Sequence, residues 1–382
     1  MKTKKIIMAI ALVFTLTGFV FAGGGAQSGP KAGKKLVIGF NNYLQGHYSL
    51  DILENSFKAT CAALDIEPYI LNDEGKSENS AYNVDNMINA GVDGVVFFGI
   101  VDTLFPVVAK KCTDAGIPFV FFDHMPSDET LAQVVSSPYY KGIAATVDYG
   151  TGANFGTHAL ELGLKKAVVI TGERGDTTHT ARTTGFTETF TKGGGTVLAQ
   201  AYGPVDLQSA LTRSNDTLTA HPDADCIYAT NGDVGTSVLE AVAKHPGMNA
   251  KVFVTDLDPS VLDGLKNGKV AAGNGAHWVN VDFATALLVN ALRGNEIKEN
   301  GRAPRLVVPV MTLPSNLIGL YDKYWLQQQP FSPDEMRSWV GPNVTVDVFK
   351  NTLANYNINT RLDAKVKQGL LSQAELDAAR KQ

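Results

Sequence analysis

Asp123 and His124 close the run "FVFFDHMP" (119–126), in which Phe119, Val120, Phe121 and Phe122 suit a strand buried on both faces. A carboxylate beside an imidazole both accepts and donates hydrogen bonds, and neither group belongs in an apolar core. Comparable polar groups follow other apolar runs. "NNYLQGHYS" carries Asn41, Asn42, Tyr43, His47 and Tyr48, and "GERGDTTHTAR" carries Asp176, His179 and Arg182. "IYATNGD" brings Asn231 and Asp233, "VFVTDLD" brings Asp256, and "GNGAHW" brings Asn274, His277 and Trp278. One such residue alone is most simply a turn or a helix cap. Together they form planar hydrogen-bonding groups with aromatics, a set that suits a polyhydroxylated molecule. Each sugar hydroxyl donates and accepts, while a Tyr or Trp face covers the C–H side of the ring.

No catalyst assembles from the same residues. The chain lacks G-x-S-x-G, H-E-x-x-H and G-x-x-x-x-G-K-[ST], and no G-x-G-x-x-G follows the first apolar run. His47, His124, His179 and His277 fall in the polar loops, but their spacing is irregular for zinc, and no metal or cofactor is expected. Gly193-Gly194-Gly195 is a turn between a helix and a strand, and "DEGKSENS" lacks the alternating oxygens of a calcium loop.

The elements that must position these groups alternate between strand and helix. "KLVIGF", "EPYIL", "VDGVVFFGI" and "IPFVFFDH" are separated by amphipathic helical stretches, with Gly91 and Gly116 just past helix ends. After "AQVVSS" the alternation restarts. A helix is expected through "GIAATVDYGTGANFGTHALELG", then "KAVVIT", "GTVLAQAY", "CIYATNG" and "KVFVTD" as strands. Asp258-Pro259 starts a helix that Asn267-Gly268 stops. This βαβ pattern predicts an α/β fold of two Rossmann-like parallel-sheet lobes, with polar residues gathered at the carboxyl ends of the strands, where open sheets bind ligands. The expected division is a first lobe of 35–138 plus about 277–305, a second of 139–276 plus about 306–330, and a helical extension over 331–382. A capping box at Ser372 and Glu375 and a helix start at Ser332-Pro333 support the last of these.

The 382 residues, 44% hydrophobic and 19% charged with a net charge of −5, describe a globular chain without a basic patch for nucleic acid. Lys2, Lys4 and Lys5 precede "IIMAIALVFTLTGFVFA", so residues 1–22 read as a signal peptide and 23–34 as a Gly/Ser-rich leader. Cys61, Cys112 and Cys226 are expected as buried free thiols, although one pair could be joined in an oxidising compartment.

"IPFVFFDHMP", "ARTTGF", "YATNGD" and "VTDLDP" together resemble the type I periplasmic sugar-binding proteins of ABC importers, the group of the ribose- and galactose-binding proteins, over roughly residues 35–310. Their ligand-binding domain is shared with LacI-type repressors. No helix-turn-helix precedes it here, and the signal peptide speaks against a repressor. The resemblance implies a multi-strand hinge and a sugar held between lobes by Asp123, His124, Arg182, Asn231 and Asp256. Tyr43, His47 and Tyr48 occupy the first-lobe contact loop. It also implies a monomer that delivers its ligand to a membrane permease, or alternatively reports it to a chemoreceptor or sensor kinase. The chain departs from the pattern in two places. Val205 in "GPVDLQ" stands where the family often has an aromatic, and Ala276, beside His277, stands near the usual Asn or Gln. Those departures keep a nucleoside or a furanone-type signal open beside a monosaccharide or polyol.

Overall fold

A computed structural model describes residues 35–381, so the expected signal peptide and leader lie outside the described residues. The strands are β1 Leu36–Asn42, β2 Ile66–Asn72, β3 Gly94–Phe98, β4 Phe119–Asp123, β5 Tyr140–Ala145, β6 Lys166–Ile170, β7 Thr196–Ala201, β8 Cys226–Ala229, β9 Lys251–Thr255, β10 Val270–Gly275, β11 Arg305–Val307 and β12 Met311–Thr312. The helices up to the second sheet's edge are α1 Tyr48–Leu64, α2 Ser77–Ala90, α3 Leu104–Ala115, α4 Asp128–Val134, α5 Asp148–Glu161, α6 Thr177–Lys192, α7 Leu207–Ala220, α8 Gly232–Ala243, α9 Pro259–Lys266 and α10 Asn280–Leu292. The C-terminal part adds α11 Ile318–Tyr321, α12 Pro333–Ser338, α13 Val346–Ala354, α14 Ile358–Lys367 and α15 Gln373–Arg380.

Two six-stranded sheets result, ordered β11-β5-β4-β3-β1-β2 and β12-β10-β9-β8-β6-β7. The orders correspond strand for strand, and every pairing is parallel except β10 with β12. β4 explains why such sheets form. All five of its residues are buried: Val120 and Phe122 join the cluster of α1 and α10, while Phe119 and Phe121 join that of α2, α3 and α4. Each large side chain so buried contributes roughly 2–3 kcal/mol. The three cysteines are buried free thiols.

The chain crosses between sheets after β5, after β10 and between β11 and β12. The segment Tyr140–Ala145, assigned to the second lobe and from Gly142 onward expected as helix, is instead a strand paired with β4 and β11 in the first sheet. Only after it does the chain enter α5, so the first crossing lies beyond residue 145 rather than at 138. Val307, expected beyond the first lobe's return segment, likewise pairs with Ala145 in the first sheet. α10 returns to cover β3, β4 and β5.

The C-terminal helices lie across the crossings. α12 packs on α1, and Asn290 of α10 donates to the Trp339 carbonyl at 2.8 Å. The Tyr356 hydroxyl donates to the Ala276 carbonyl at 2.6 Å and accepts from the Trp325 indole at 3.1 Å. Ser332 and Glu335 form the reciprocal capping box that starts α12. None of the described helices is long and apolar enough to cross a membrane.

Candidate functional site

Two aspartates set the geometry. Asp123 ends β4 and Asp256 follows β9, which occupy corresponding places in the two sheets. Both adopt left-handed backbone, with φ of 70° and 75°. This conformation is unfavourable for most side chains but tolerated by Asp. Strain of this kind collects at functional sites. Asp123 Oδ1 accepts from Asn280 Nδ2 at 2.6 Å, and His277 Nε2 lies 3.8 Å from the same oxygen. His124 Nδ1 lies 3.0 Å from the Gly99 carbonyl, which can only accept, so Nδ1 carries a proton. Its ring rests against Phe98, centroids 4.6 Å apart.

Arg182 anchors the other side. Nε donates to Asp148 Oδ1 at 2.8 Å and Nη1 to the Thr230 carbonyl at 2.9 Å, while Asp256 Oδ2 lies 3.9 Å from Nη1. Burial works against the Asp148 charge, but Arg182, with His277 and His124, outweighs it and holds the carboxyl below its ordinary range. Burial likewise opposes the Arg182 charge, and Asp148 and Asp256 more than restore it, so the guanidinium is raised. Two glycines make this pair possible. A Cβ on Gly152 of α5 would stand 1.9 Å from the Arg182 carbonyl oxygen, and one on Gly185 of α6 would stand 2.0 Å from that of Tyr149. Only glycine lets the helices approach so closely, and the approach carries Asp148 to Arg182. The Thr146 and Thr178 hydroxyls fill the second Asp148 oxygen at 2.9 and 3.3 Å.

Further groups close the ring. His179 Nδ1 lies 2.7 Å from Thr230 Oγ1, and burial pulls its pKa down. Asp176 and Asn231 cap α6 and α8 through their side-chain oxygens, which leaves the Asn231 amide nitrogen for a ligand. His47 of the first lobe meets Asp233 of the second at 2.6 Å. Burial opposes the imidazolium, yet the Asp233 hydrogen bond and charge win and raise the His47 pKa. Asp258, only 3% exposed, lies flat against Gly232, where a Cβ would come within 2.1 Å of the carboxyl carbon. Burial, then Asp256 and Asp233, push its pKa up to about 8.

These residues enclose a cavity of about 130 Å³. At 10–15 Å³ per water-sized group it has room for roughly ten, the scale of a monosaccharide. Tyr43, His47, Tyr48, Asp123, His124, Asp176, Arg182, Asn231, Asp256 and His277 all line it, as does Val205. Asn42 does not. Its amide donates to Glu54 at 2.7 Å and its carbonyl accepts from the Leu44 backbone at 3.1 Å, so it ties the contact loop to α1. Tyr43 contributes its ring only, because its hydroxyl donates to the Gly75 carbonyl at 2.7 Å. His179, Asp258 and Trp278 also line the cavity. Asp148 and Asn280 support it from behind. Asp258 looks in sequence like a helix start before Pro259, and nothing local marks Asp148 or Asn280.

A family profile described as "Periplasmic binding protein domain" matches residues 38–296. The chain belongs to the periplasmic binding proteins. It is 26% identical over 208 residues to a D-ribose/D-allose-binding protein of Pseudomonas aeruginosa, covering 53% of this chain and 63% of that one, just under two thirds of the relative's length. A Mycobacterium smegmatis protein solved with β-D-fucofuranose superposes with a TM-score of 0.67 at 18% identity, covering 80% of this chain and 97% of that one. An Actinobacillus succinogenes solute-binding protein solved with D-allose gives a TM-score of 0.66 at 19% identity, covering 75% and 100%. The fold is that of the type I members, two parallel-dominated sheets with ligand space between them.

Proposed function

We propose that this protein captures a monosaccharide or polyol between its lobes and, as a closed monomer, presents it to the permease of an ABC importer outside the cytoplasm. The observation that carries this reading is the pair of left-handed aspartates, Asp123 and Asp256, facing one cavity from corresponding places in the two sheets. Arg182 stands beside Asp256 already saturated on its far side. Carboxylates and a guanidinium in fixed planes recognise hydroxyls in pairs, and a ligand lacking one leaves a buried polar group unpaired at about 1–3 kcal/mol. The names of the relatives, which bind ribose, allose and fucofuranose, point to the same class. The role is binding without turnover, and lobe closure over the ligand is the expected motion.

A thermal-shift screen of pentoses, hexoses, inositols and nucleosides tests it. A ligand at a hundred times its Kd adds about 2.7 kcal/mol to stability, so a sugar or polyol raises the melting temperature clearly. A shift by nucleosides alone sinks the sugar reading.

A further inference from the structure

The cavity is lined by four carboxylates, those of Asp123, Asp176, Asp256 and Asp258, and by one guanidinium, that of Arg182. Most of these groups are already engaged. Arg182 is committed to Asp148 and Thr230, Asp123 to Asn280, and Asp176 to the His179 backbone. Three of the four lining imidazoles are engaged too: His47 bonds Asp233, His124 the Gly99 carbonyl, and His179 the Thr230 hydroxyl, while His277 stands between Asp123 and Asp256 at 3.8 and 4.0 Å with its Nδ1 unpartnered among the described residues. Two carboxylates remain short of partners. Asp256 has Arg182 at 3.9 Å and His277 at 4.0 Å, both beyond hydrogen-bond reach. Asp258 Oδ1 is buried with no hydrogen-bond partner among the described residues.

From this imbalance we propose that the ligand carries a protonated amine, as in an amino sugar or amino polyol, seated against Asp258 and Asp256. The inference rests on the binding role proposed above and specifies its ligand. A hydroxyl supplies a hydrogen bond to a buried carboxylate but leaves its charge unbalanced. An ammonium supplies both, and an uncompensated charge is the costlier defect in a closed cavity. Burial, then Asp256 and Asp233, disfavour the Asp258 carboxylate, His47 and Ser49 only partly offset them, and an ammonium seated beside Asp258 would favour its ionised form. Gly232 belongs to the same device, since any side chain there would occupy the place of the Asp258 carboxylate.

The test is calorimetry on the protein at pH 7 with 2-amino-2-deoxyhexoses and an amino-inositol, each against its hydroxyl parent. At least one amine is expected to bind tenfold or more tightly than its parent, and Asp258→Asn to narrow that ratio below threefold. Asn is itself a good helix N-cap, and Asp256→Asn provides the same readout should the first variant not fold. Hydroxyl parents binding as well as or better than every amine would overturn the proposal and leave the sugar reading standing. A preference that survives both substitutions overturns the assigned seat. Absence of binding by either series overturns the sugar reading and this inference together.

Discussion

The two lobes share a strand order but load the ends of their strands differently. The first lobe faces the cavity with Leu44, Leu50, Ile52, Leu53, Phe98 and Ile100, and sets its polar groups, Asp123, His124, His47, Tyr48 and Ser49, around that apolar wall. The second faces it with Asp176, His179, Arg182, Asn231, Asp256 and Asp258. Their deepest acids differ as well. Asp148, behind the second-lobe wall, is paired with Arg182 and held below the ordinary carboxylate range. Asp282, behind the first, accepts the Ser56 and Thr60 hydroxyls at 2.8 Å each, and burial outweighs these bonds to push its pKa up to about 7. The same scaffold thus carries a charged grip on one side, rigid before a ligand arrives, and a drying surface on the other.

Arg182→Ala breaks the charged side and has the largest expected effect. Binding falls more than a hundredfold, and stability drops by about 3–5 kcal/mol because Asp148 is left buried without its cation. Adding Asp148→Ala recovers stability but not affinity, as read by denaturant melts and calorimetry. Asp123→Ala, on the apolar side, weakens binding about tenfold by removing one hydrogen-bonding carboxylate, while stability changes far less. A stability loss equal to that of Arg182→Ala would erase the contrast between the lobes.

The smallest effect concerns pH. A carboxyl raised in the folded state contributes fully below its unfolded pKa near 4, and loses that contribution as pH rises through about 7 for Asp282. Asp148 has the opposite sign, with a contribution present above about 4 and lost in acid. Between pH 6 and 7.5 the Asp282 contribution falls by about 1 kcal/mol. Asp282→Asn should therefore flatten the decline in melting temperature over that range by about 2 °C. A residual slope belongs to Asp258 and His47, raised in the same direction, less the opposite contribution of the lowered His179. An unchanged slope in the variant would mean that Asp282 is ionised throughout.

The fold was legible because its signals are local. Four consecutive apolar residues announce β4, left-handed Gly91 and Gly116 end α2 and α3, and Pro259 opens α9. The exception, β5, contains Gly142 and small alanines and runs into an amphipathic helix without a break in the pattern. Site residues at strand ends were legible for the same reason, since a parallel sheet places every carboxyl end on one rim. Asn42 shows the limit of that rule, because a strand-end side chain can turn to a neighbouring helix instead. Asp148 was invisible for a different reason. Its role depends on a helix–helix approach set by Gly152 and Gly185, a contact between segments far apart in the chain. Asn280 likewise reaches Asp123 across 157 positions.

The crossings have a consequence in time as well as in space. Synthesis supplies β6 to β10 as one stretch, so the second sheet lacks only its short edge strand once residue 275 is made. The first sheet begins earlier, and its β1 to β5 are complete by residue 145. α10, which covers Val120 and Phe122, and the edge strand β11 are made only after the whole of that stretch. The half of the molecule written first is therefore the half that must wait, with one face of its greasiest strand short of cover, while most of the other is spoken.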